Sequence, residues 1–385
     1  MPESLPSTTP YLQEGGAWTS AEIAQQPQVW HETAAIVAAM RPAIDAFLRP
    51  VLAQPDLRII LTGAGSSAYI GLCLLPDLLA SLGHRVEAIA TTDIVAAPHR
   101  YLQNPVPTLL VSFARSGGSP ESLAAVELTD QFVKTCHHLV ITCNAHGELR
   151  RRLEGQARSL VIVLPEASHD RGFAMTSSFS CMLYAAQLTL APQLLNDQTV
   201  TRMGKAARQV LEQEHLLIQA LATRRYQRAV YLGSSGLGGL AQEAALKLLE
   251  LTDGAVAALS NTSLGFRHGP KTFVNSETLI VLFTSNDPLT RRYDLDIARE
   301  LAADGIAGRL IVLTTRADDC ADLDPVVLSD LKGAPDAELA FAYVIWAQLF
   351  AFHSSLVLGC KPDSPSASGT VNRVVRGVTI HPAVG

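Results

Sequence analysis

The sequence contains no C-x-x-C pair, no H-x-H or H-x-x-x-H cluster, and no uncharged apolar run of the roughly 20 residues that a membrane span needs. The first two absences leave a catalytic metal without a ligand set, so none is expected, and the third gives no reason to expect a membrane partner. The chain opens Met1-Pro2-Glu3-Ser4, without a basic stretch leading into an apolar core, so a cytoplasmic location is expected. Charge is scarce. Asp, Glu, Lys and Arg make up 17% of residues and sum to −6, which argues against a nucleic-acid partner. The basic triplet Arg150-Arg151-Arg152 reads as a solvated helix face. Cys73, Cys136, Cys143, Cys181, Cys320 and Cys360 stand apart, mostly among apolar neighbours, and read as buried free thiols. What the chain does have is apolar mass: 48% of 385 residues, enough for two domains with sizeable cores.

A serine- and glycine-rich loop follows a strand-like run three times. The loops are Gly63-Ala64-Gly65-Ser66-Ser67, Ala114-Arg115-Ser116-Gly117-Gly118-Ser119 and Gly233-Ser234-Ser235-Gly236. Each leads into an alanine- and leucine-rich stretch that reads as a helix. Free amides and the positive end of a helix dipole suit a phosphate, and serine hydroxyls add uncharged donors. The recurrence suggests two related α/β domains. A dinucleotide fingerprint is weak, because Ala68 stands where Gly63-x-Gly65 would need its third glycine, although Asp93 could supply the acid.

Residues 1–17 read as an arm. Thr19 or Ser20 caps a helix, and a second helix over 28–52 is expected to be interrupted at Pro42. Strands are expected near 58–62, 86–90, 108–113, 138–142 and 160–164, alternating with helices over 67–82, 120–135, 146–155 and 175–191. A helical bridge over 192–225 precedes a second alternation: strands 228–233, 278–284, 309–314 and 326–328, helices 237–252, 290–304 and 336–357. The pattern implies parallel sheets with helices on both faces. The boundaries follow: arm and helix 1–50, a first domain 51–200, a linker helix and second domain 201–358, and a proline- and serine-rich tail 359–385 that must lie over something.

In Glu243-Ala244-Ala245-Leu246-Lys247-Leu248-Leu249-Glu250 the three charges fall on a helical stripe about 60° wide, with apolar residues around the rest. Such a helix is buried, so its stripe faces a cleft or another subunit, unless it is an ordinary solvent-facing ion pair. His268, in Ser263-Leu264-Gly265-Phe266-Arg267-His268-Gly269-Pro270-Lys271, lies on a loop and can move a proton near neutral pH. Thr176, Ser177 and Ser178 either line a polyol pocket or cap a helix. His146 and His169 read as supporting or surface groups.

These motifs resemble the sugar isomerase (SIS) fold, which occurs in pairs in the isomerase half of glucosamine-6-phosphate synthase. The resemblance covers roughly residues 50–380 and implies two α/β SIS domains, each a mostly parallel five-stranded sheet in a three-layer αβα arrangement. Gly65-Ser66-Ser67 matches the synthase G-T-S loop. Ala114 through Ser119 matches S-x-S-G-x-T, with alanine for the first serine. Glu243 through Glu250 matches E-G-A-L-K-L-K-E, and Arg267-His268-Gly269-Pro270 matches K-H-G-P. The whole chain is similar to the AgaS family of D-galactosamine-6-phosphate deaminase/isomerases, sharing the segments 169–178, 265–271 and 365–375. Arg376 stands in place of the synthase's Schiff-base lysine, and a guanidinium cannot serve as that amine.

The resemblance implies isomerising deamination of D-galactosamine 6-phosphate to D-tagatose 6-phosphate and ammonium, without cofactor or metal. The phosphate is expected on Gly65, Ser66, Ser67, Ser116, Gly117 and Ser119 with Arg115, and Thr176 is expected at the sugar. His268 opens the ring, reaching in from the partner of a homodimer. Glu250 transfers the C2 proton to C1, supported by Glu243, and Lys247 or Arg376 stabilises the enolamine. Alternatives are a plain ketose/aldose 6-phosphate isomerase and a glucosamine-6-phosphate deaminase. A sugar-phosphate sensor is disfavoured, because the first 50 residues are proline-interrupted and not basic.

Overall fold

A computed structural model describes residues 15–103, 105–375 and 377–383. In chain order its elements are α1 (Ala17–Ala24), α2 (Gln26–Leu52), β1 (Arg58–Thr62), α3 (Ser66–Leu82), β2 (Arg85–Ala88), α4 (Thr91–Ala96), α5 (Pro98–Tyr101), β3 (Thr108–Ala114), α6 (Pro120–Phe132), β4 (Cys136–Thr142), α7 (Glu148–Leu153), β5 (Ser159–Val163) and α8 (Ser177–Leu190). There follow α9 (Thr199–Glu212), α10 (His215–Thr223), β6 (Arg228–Gly233), α11 (Gly236–Leu251), β7 (Ala257–Asn261), β8 (Thr278–Phe283), α12 (Pro288–Asp304), β9 (Arg309–Thr314), β10 (Val326–Val327) and α13 (Asp336–Val357). The chain forms two compact units. Among the described residues, one comprises 28–170, 177–195 and 371–383; the other comprises 15–27, 171–176 and 196–370.

The first unit is built on a five-stranded parallel sheet in the order β2-β1-β3-β4-β5. Every residue of β1 and β3 is buried, which is why both read as unbroken apolar runs rather than as alternating patterns. The strand order reverses between β1 and β3. In open α/β sheets that switch point leaves a crevice outside the strands' carboxyl ends. The Gly65–Ser67 loop follows β1 and the Ser116–Ser119 loop follows β3, so both lie at that crevice. Helix α2 runs through Pro42 and Pro50 without the expected break. A mid-helix proline removes one amide donor and crowds a carbonyl. Here Val29, Val37, Ile44, Leu48 and Val51 keep one continuous buried face on both sides of Pro42. The neighbouring Trp30 also donates its indole N–H to Ser180, 2.9 Å away.

The second unit repeats the plan with β10-β9-β8-β6-β7, also fully parallel, and switches between β6 and β8. Register repeats as well: Arg58 pairs with Thr108 in one sheet and Arg228 with Thr278 in the other. Strand β7 was not expected. Its sequence Ala-Ala-Leu-Ser-Asn has no β-branched residue, and it is a half-covered edge strand. Helix α13 has the length and apolarity of a membrane span, but 89% of its most apolar window is buried. It packs against α9, α10 and α11 and is the core helix of its unit.

Candidate active site

The loop after β3 is shaped by the segment after β4. Thr142 donates its hydroxyl to the Ala114 carbonyl at 2.7 Å, and the Asn144 amide donates to the Ser116 carbonyl at 2.8 Å. A Cβ on Gly147 would lie 2.8 Å from the Ser116 carbonyl oxygen, so only glycine permits this approach. Gly117 takes φ +64°, and the Gly118 N–H turns toward the Ser116 hydroxyl at 3.4 Å. Ser119 caps α6, accepting from the Ser122 N–H at 3.3 Å, with Pro120 at the first helical position. Two of the expected phosphate ligands thus also build the loop. Across the switch point Gly65 adopts φ +56° and ψ −129° to turn β1 into α3, and Ser66 and Ser67 are nearly buried at its start.

The same unit holds a second set of polar groups. Asp170 accepts from the Ser177 N–H at 3.1 Å, from the Ser178 N–H at 2.9 Å, and from the Ser178 hydroxyl. The cap of this helix start is therefore Asp170, seven positions upstream of Ser177, rather than one of the expected hydroxyls, and the Ser178 hydroxyl is engaged by it as a donor. Arg115 is 8% exposed and donates to the backbone carbonyl of Arg373 in the tail, while Arg373 donates to the carbonyl of Asp170. Burial, then the Arg373 and Arg115 charges, hold His169 below the ordinary imidazole range. His146 is exposed. In the other unit, Thr176 has no exposed surface.

Helix α11 carries the charged stripe. Glu243 and Lys247 are fully buried, with Lys247 Nζ 3.6 Å from Glu243 and in direct contact with Glu250. Only Glu250 retains appreciable exposure, 26% of its side chain. The stripe therefore does not line a cleft along its length. Two of its members form a buried pair, and the third brings a carboxylate to the surface. A buried ammonium beside two carboxylates satisfies itself, as a lone one could not.

His268 is exposed, at the end of a short 3-10 turn and just before Gly269 at φ +113°. Its neighbours are committed elsewhere: Arg267 pairs with Glu300, and Lys271 with Glu300 and Asp304. Arg376 lies outside the described residues.

Sequence reasoning missed Asp294. This residue of α12 accepts from the Ser234 hydroxyl at 2.7 Å, the Ser263 hydroxyl at 2.5 Å and the Ser285 N–H at 3.0 Å. Those donors follow β6, β7 and β8, so the carboxyl-end crevice of the second sheet already holds a carboxylate. Burial pushes the Asp294 carboxyl up despite the three hydrogen bonds. A second carboxylate, Asp336, accepts from the Ser285 hydroxyl at 2.5 Å and the Asn286 N–H at 2.7 Å. An acid in a helix facing a serine loop was the available signal.

Among the described residues, Asp130, Cys136 and His138 bring ligand-type atoms within 4.8 Å of one another. His138 Nε2 lies 2.8 Å from Asp130 Oδ1, the separation of a hydrogen bond, and burial keeps the Cys136 thiol protonated. The trio reads as a hydrogen-bonded His–Asp pair beside a core thiol. Arg150, Arg151 and Arg152 pair with Glu154, Glu148 and Glu127 on an outer helix face.

The SIS domain model matches residues 223–358, which places the second sheet and the Glu243–Glu250 helix in that class. The C-terminal domain of glucosamine-fructose-6-phosphate aminotransferase from Francisella tularensis superposes with a TM-score of 0.74 at 20% identity over 90% of this chain and 98% of that one, a likeness of fold alone. Much nearer is the Escherichia coli protein named D-galactosamine-6-phosphate deaminase AgaS, 44% identical over 99% of each chain. A Streptomyces coelicolor protein is 48% identical over 98% of each. The crystal structure of tagatose-6-phosphate ketose/aldose isomerase from Escherichia coli superposes with a TM-score of 0.88 at 41% identity, over 95% of this chain and 97% of that one. The chain belongs to the AgaS family of SIS-domain proteins.

Proposed function

We propose that the protein converts D-galactosamine 6-phosphate to D-tagatose 6-phosphate and ammonium. The near-full-length identity to the E. coli deaminase supports the substrate. The observation that carries the reaction type is Glu250, a carboxylate at the surface end of a buried ion stripe, poised for proton transfer.

In this reading the serine loops of the first sheet bind phosphate, with Ser67, Ser116, Ser119 and their amides as donors. His268 shuttles the proton that opens the sugar ring. Its exposure suits contribution to the partner's site in a homodimer. Glu250 takes the C2 proton of the open aldose, giving an enolamine with a hydroxyl on C1 and an amine on C2. Return of the proton to C1 makes the C2 iminium, and water replaces the nitrogen to release ammonium and the ketose. Lys247 touches Glu250 directly, so its role is to hold that carboxylate and offset its charge. Arg376 is retained as a cation for the enolamine oxygen. The proton moves between adjacent carbons of the substrate, so this scheme assigns no step to a cofactor. We also read the protein as cytoplasmic, since its free cysteines suit a reducing compartment.

The name carried by the E. coli crystal structure favours a second reading, plain ketose/aldose isomerisation by the same base. Ammonium release from galactosamine 6-phosphate, with glucosamine 6-phosphate alongside, separates the two. Ammonium from the galacto sugar alone supports the proposal; equal release makes the enzyme a broad hexosamine-phosphate deaminase. Ketose interconversion without ammonium establishes the isomerase. Glu250→Gln should lower turnover by about 10²–10⁴-fold while sugar-phosphate binding persists. Retained turnover removes Glu250 from the base role.

A further inference from the structure

The tail and the phosphate loop of the first sheet share a cationic cluster that the reaction scheme leaves unused. Arg115 directly precedes Ser116, so its hydrogen bond to the Arg373 carbonyl fastens the tail to the loop itself. The Arg373 guanidinium donates to a backbone carbonyl, that of Asp170, and makes no ion pair with a carboxylate among the described residues. Its Nε is shielded from solvent and has no acceptor. His169 Nε2 is shielded and unpartnered in the same way, and both guanidinium charges reach that ring, opposed there by the Asp170 and Glu166 carboxylates. A shielded donor without an acceptor is unfavourable until an acceptor, such as a phosphate oxygen, completes the set.

We propose that Arg373 is a phosphate-recognition residue supplied by the tail, forming with Arg115 the charged part of the anion subsite whose uncharged part is the Ser116–Ser119 loop. A guanidinium fork matches two oxygens of a phosphate dianion, which hydroxyls and amides alone do not neutralise. The inference rests on the sugar-phosphate reading above and names the group that selects phosphorylated sugars.

The test uses full-length protein, with inorganic phosphate and galactosamine 6-phosphate as calorimetric ligands and ammonium release as the kinetic readout. Arg373→Ala should weaken both ligands by about tenfold or more, as loss of a charge-assisted hydrogen bond does. KM should rise while kcat moves far less. Arg373→Lys keeps the charge without the fork and should fall between. Phosphate affinity unchanged in Arg373→Ala overturns the inference. Should that variant melt early, Arg373→Lys decides: weaker phosphate binding with wild-type melting supports the inference, and unchanged binding overturns it. The two readings fail separately. Wild-type ammonium release with unaltered variant affinity removes only Arg373 from the subsite. Arg373-dependent phosphate binding without any ammonium release removes only the deaminase.

Discussion

The turn from β1 into α3 and the turn from β6 into α11 are the same piece of backbone put to opposite uses. Gly63 and Gly233 each end a strand so close to the following helix that a Cβ would lie 2.5 Å from Ser67 or 2.3 Å from Leu237. Two residues on, Gly65 and Ser235 share one conformation, φ +56° and ψ −129° against φ +55° and ψ −131°. The side chains then diverge. Ser67 of the first turn corresponds to Leu237 of the second, so a hydroxyl donor is absent there. Ser234 is engaged by Asp294, a carboxylate the protein carries itself. Conversely, Glu243, Lys247 and Glu250 of α11 correspond by position to Cys73, Asp77 and Ala80 of α3. The first unit keeps its serine donors, and the second keeps its acids. The shared backbone thus carries serine donors in the first unit and, in the second, a serine already engaged by a carboxylate and a helix that bears an acidic stripe; in the proposed reaction this divides anion recognition from proton chemistry.

The largest effect expected from disturbing this division lies in the α11 stripe. Lys247→Met leaves Glu243 in the interior without its cation, and removing one partner of a buried pair costs about 3–5 kcal/mol. Denaturant unfolding followed by circular dichroism measures it. A loss under about 1 kcal/mol, the scale of exposed pairs, would mean that water reaches Glu243 and that the stripe resembles a surface helix face.

Most of the alternation was legible because parallel strands buried on both faces advertise themselves as apolar runs, as β3 and β8 do. Edge strand β7 escaped because a half-covered strand of Ala, Leu and Ser carries no such signal. The stripe on α11 was legible because helical spacing places Glu243, Lys247 and Glu250 together. Its depth was not, since burial comes from α13 and other distant elements packed around it. Asp170, Asp294 and Arg373 were illegible for one shared reason. Each acts on a loop from another part of the chain, across contacts that local patterns do not encode.

A smaller effect is expected at the carboxylate of the second crevice. Asp294→Asn keeps one oxygen for the two serines but turns an amide toward the Ser285 N–H, and an unmet buried donor costs about 1–3 kcal/mol. The pH dependence sharpens this. Burial raises the Asp294 carboxyl, so its contribution is fully present below the unfolded-state value and is lost as pH rises through the folded value. The stability gap between wild type and Asp294→Asn should therefore be widest in acid and narrow toward neutrality. Urea midpoints across that range give the trend. A gap that widens with pH would mean the three hydrogen bonds outweigh desolvation, making Asp294 a stabilising anion.

The smallest effect bears most directly on whether the second turn is a converted copy of the first. A side chain at φ +55° and ψ −131° is strained by about 1–3 kcal/mol, and glycine relieves that strain while making the unfolded chain more flexible by about 0.5–1 kcal/mol. Ser235→Gly should thus raise stability by about 1 kcal/mol, and the mirror change Gly65→Ser should lower it, both read as shifts in Tm. That outcome would show that the strained serine is not compensated locally and that the second turn retains a geometry for which glycine is the better residue. A loss of stability in Ser235→Gly would instead mean that the Ser235 hydroxyl offsets the strain through a contact of its own. The second crevice would then be an independently maintained site, and the division of labour between the two turns would have to be redrawn around it.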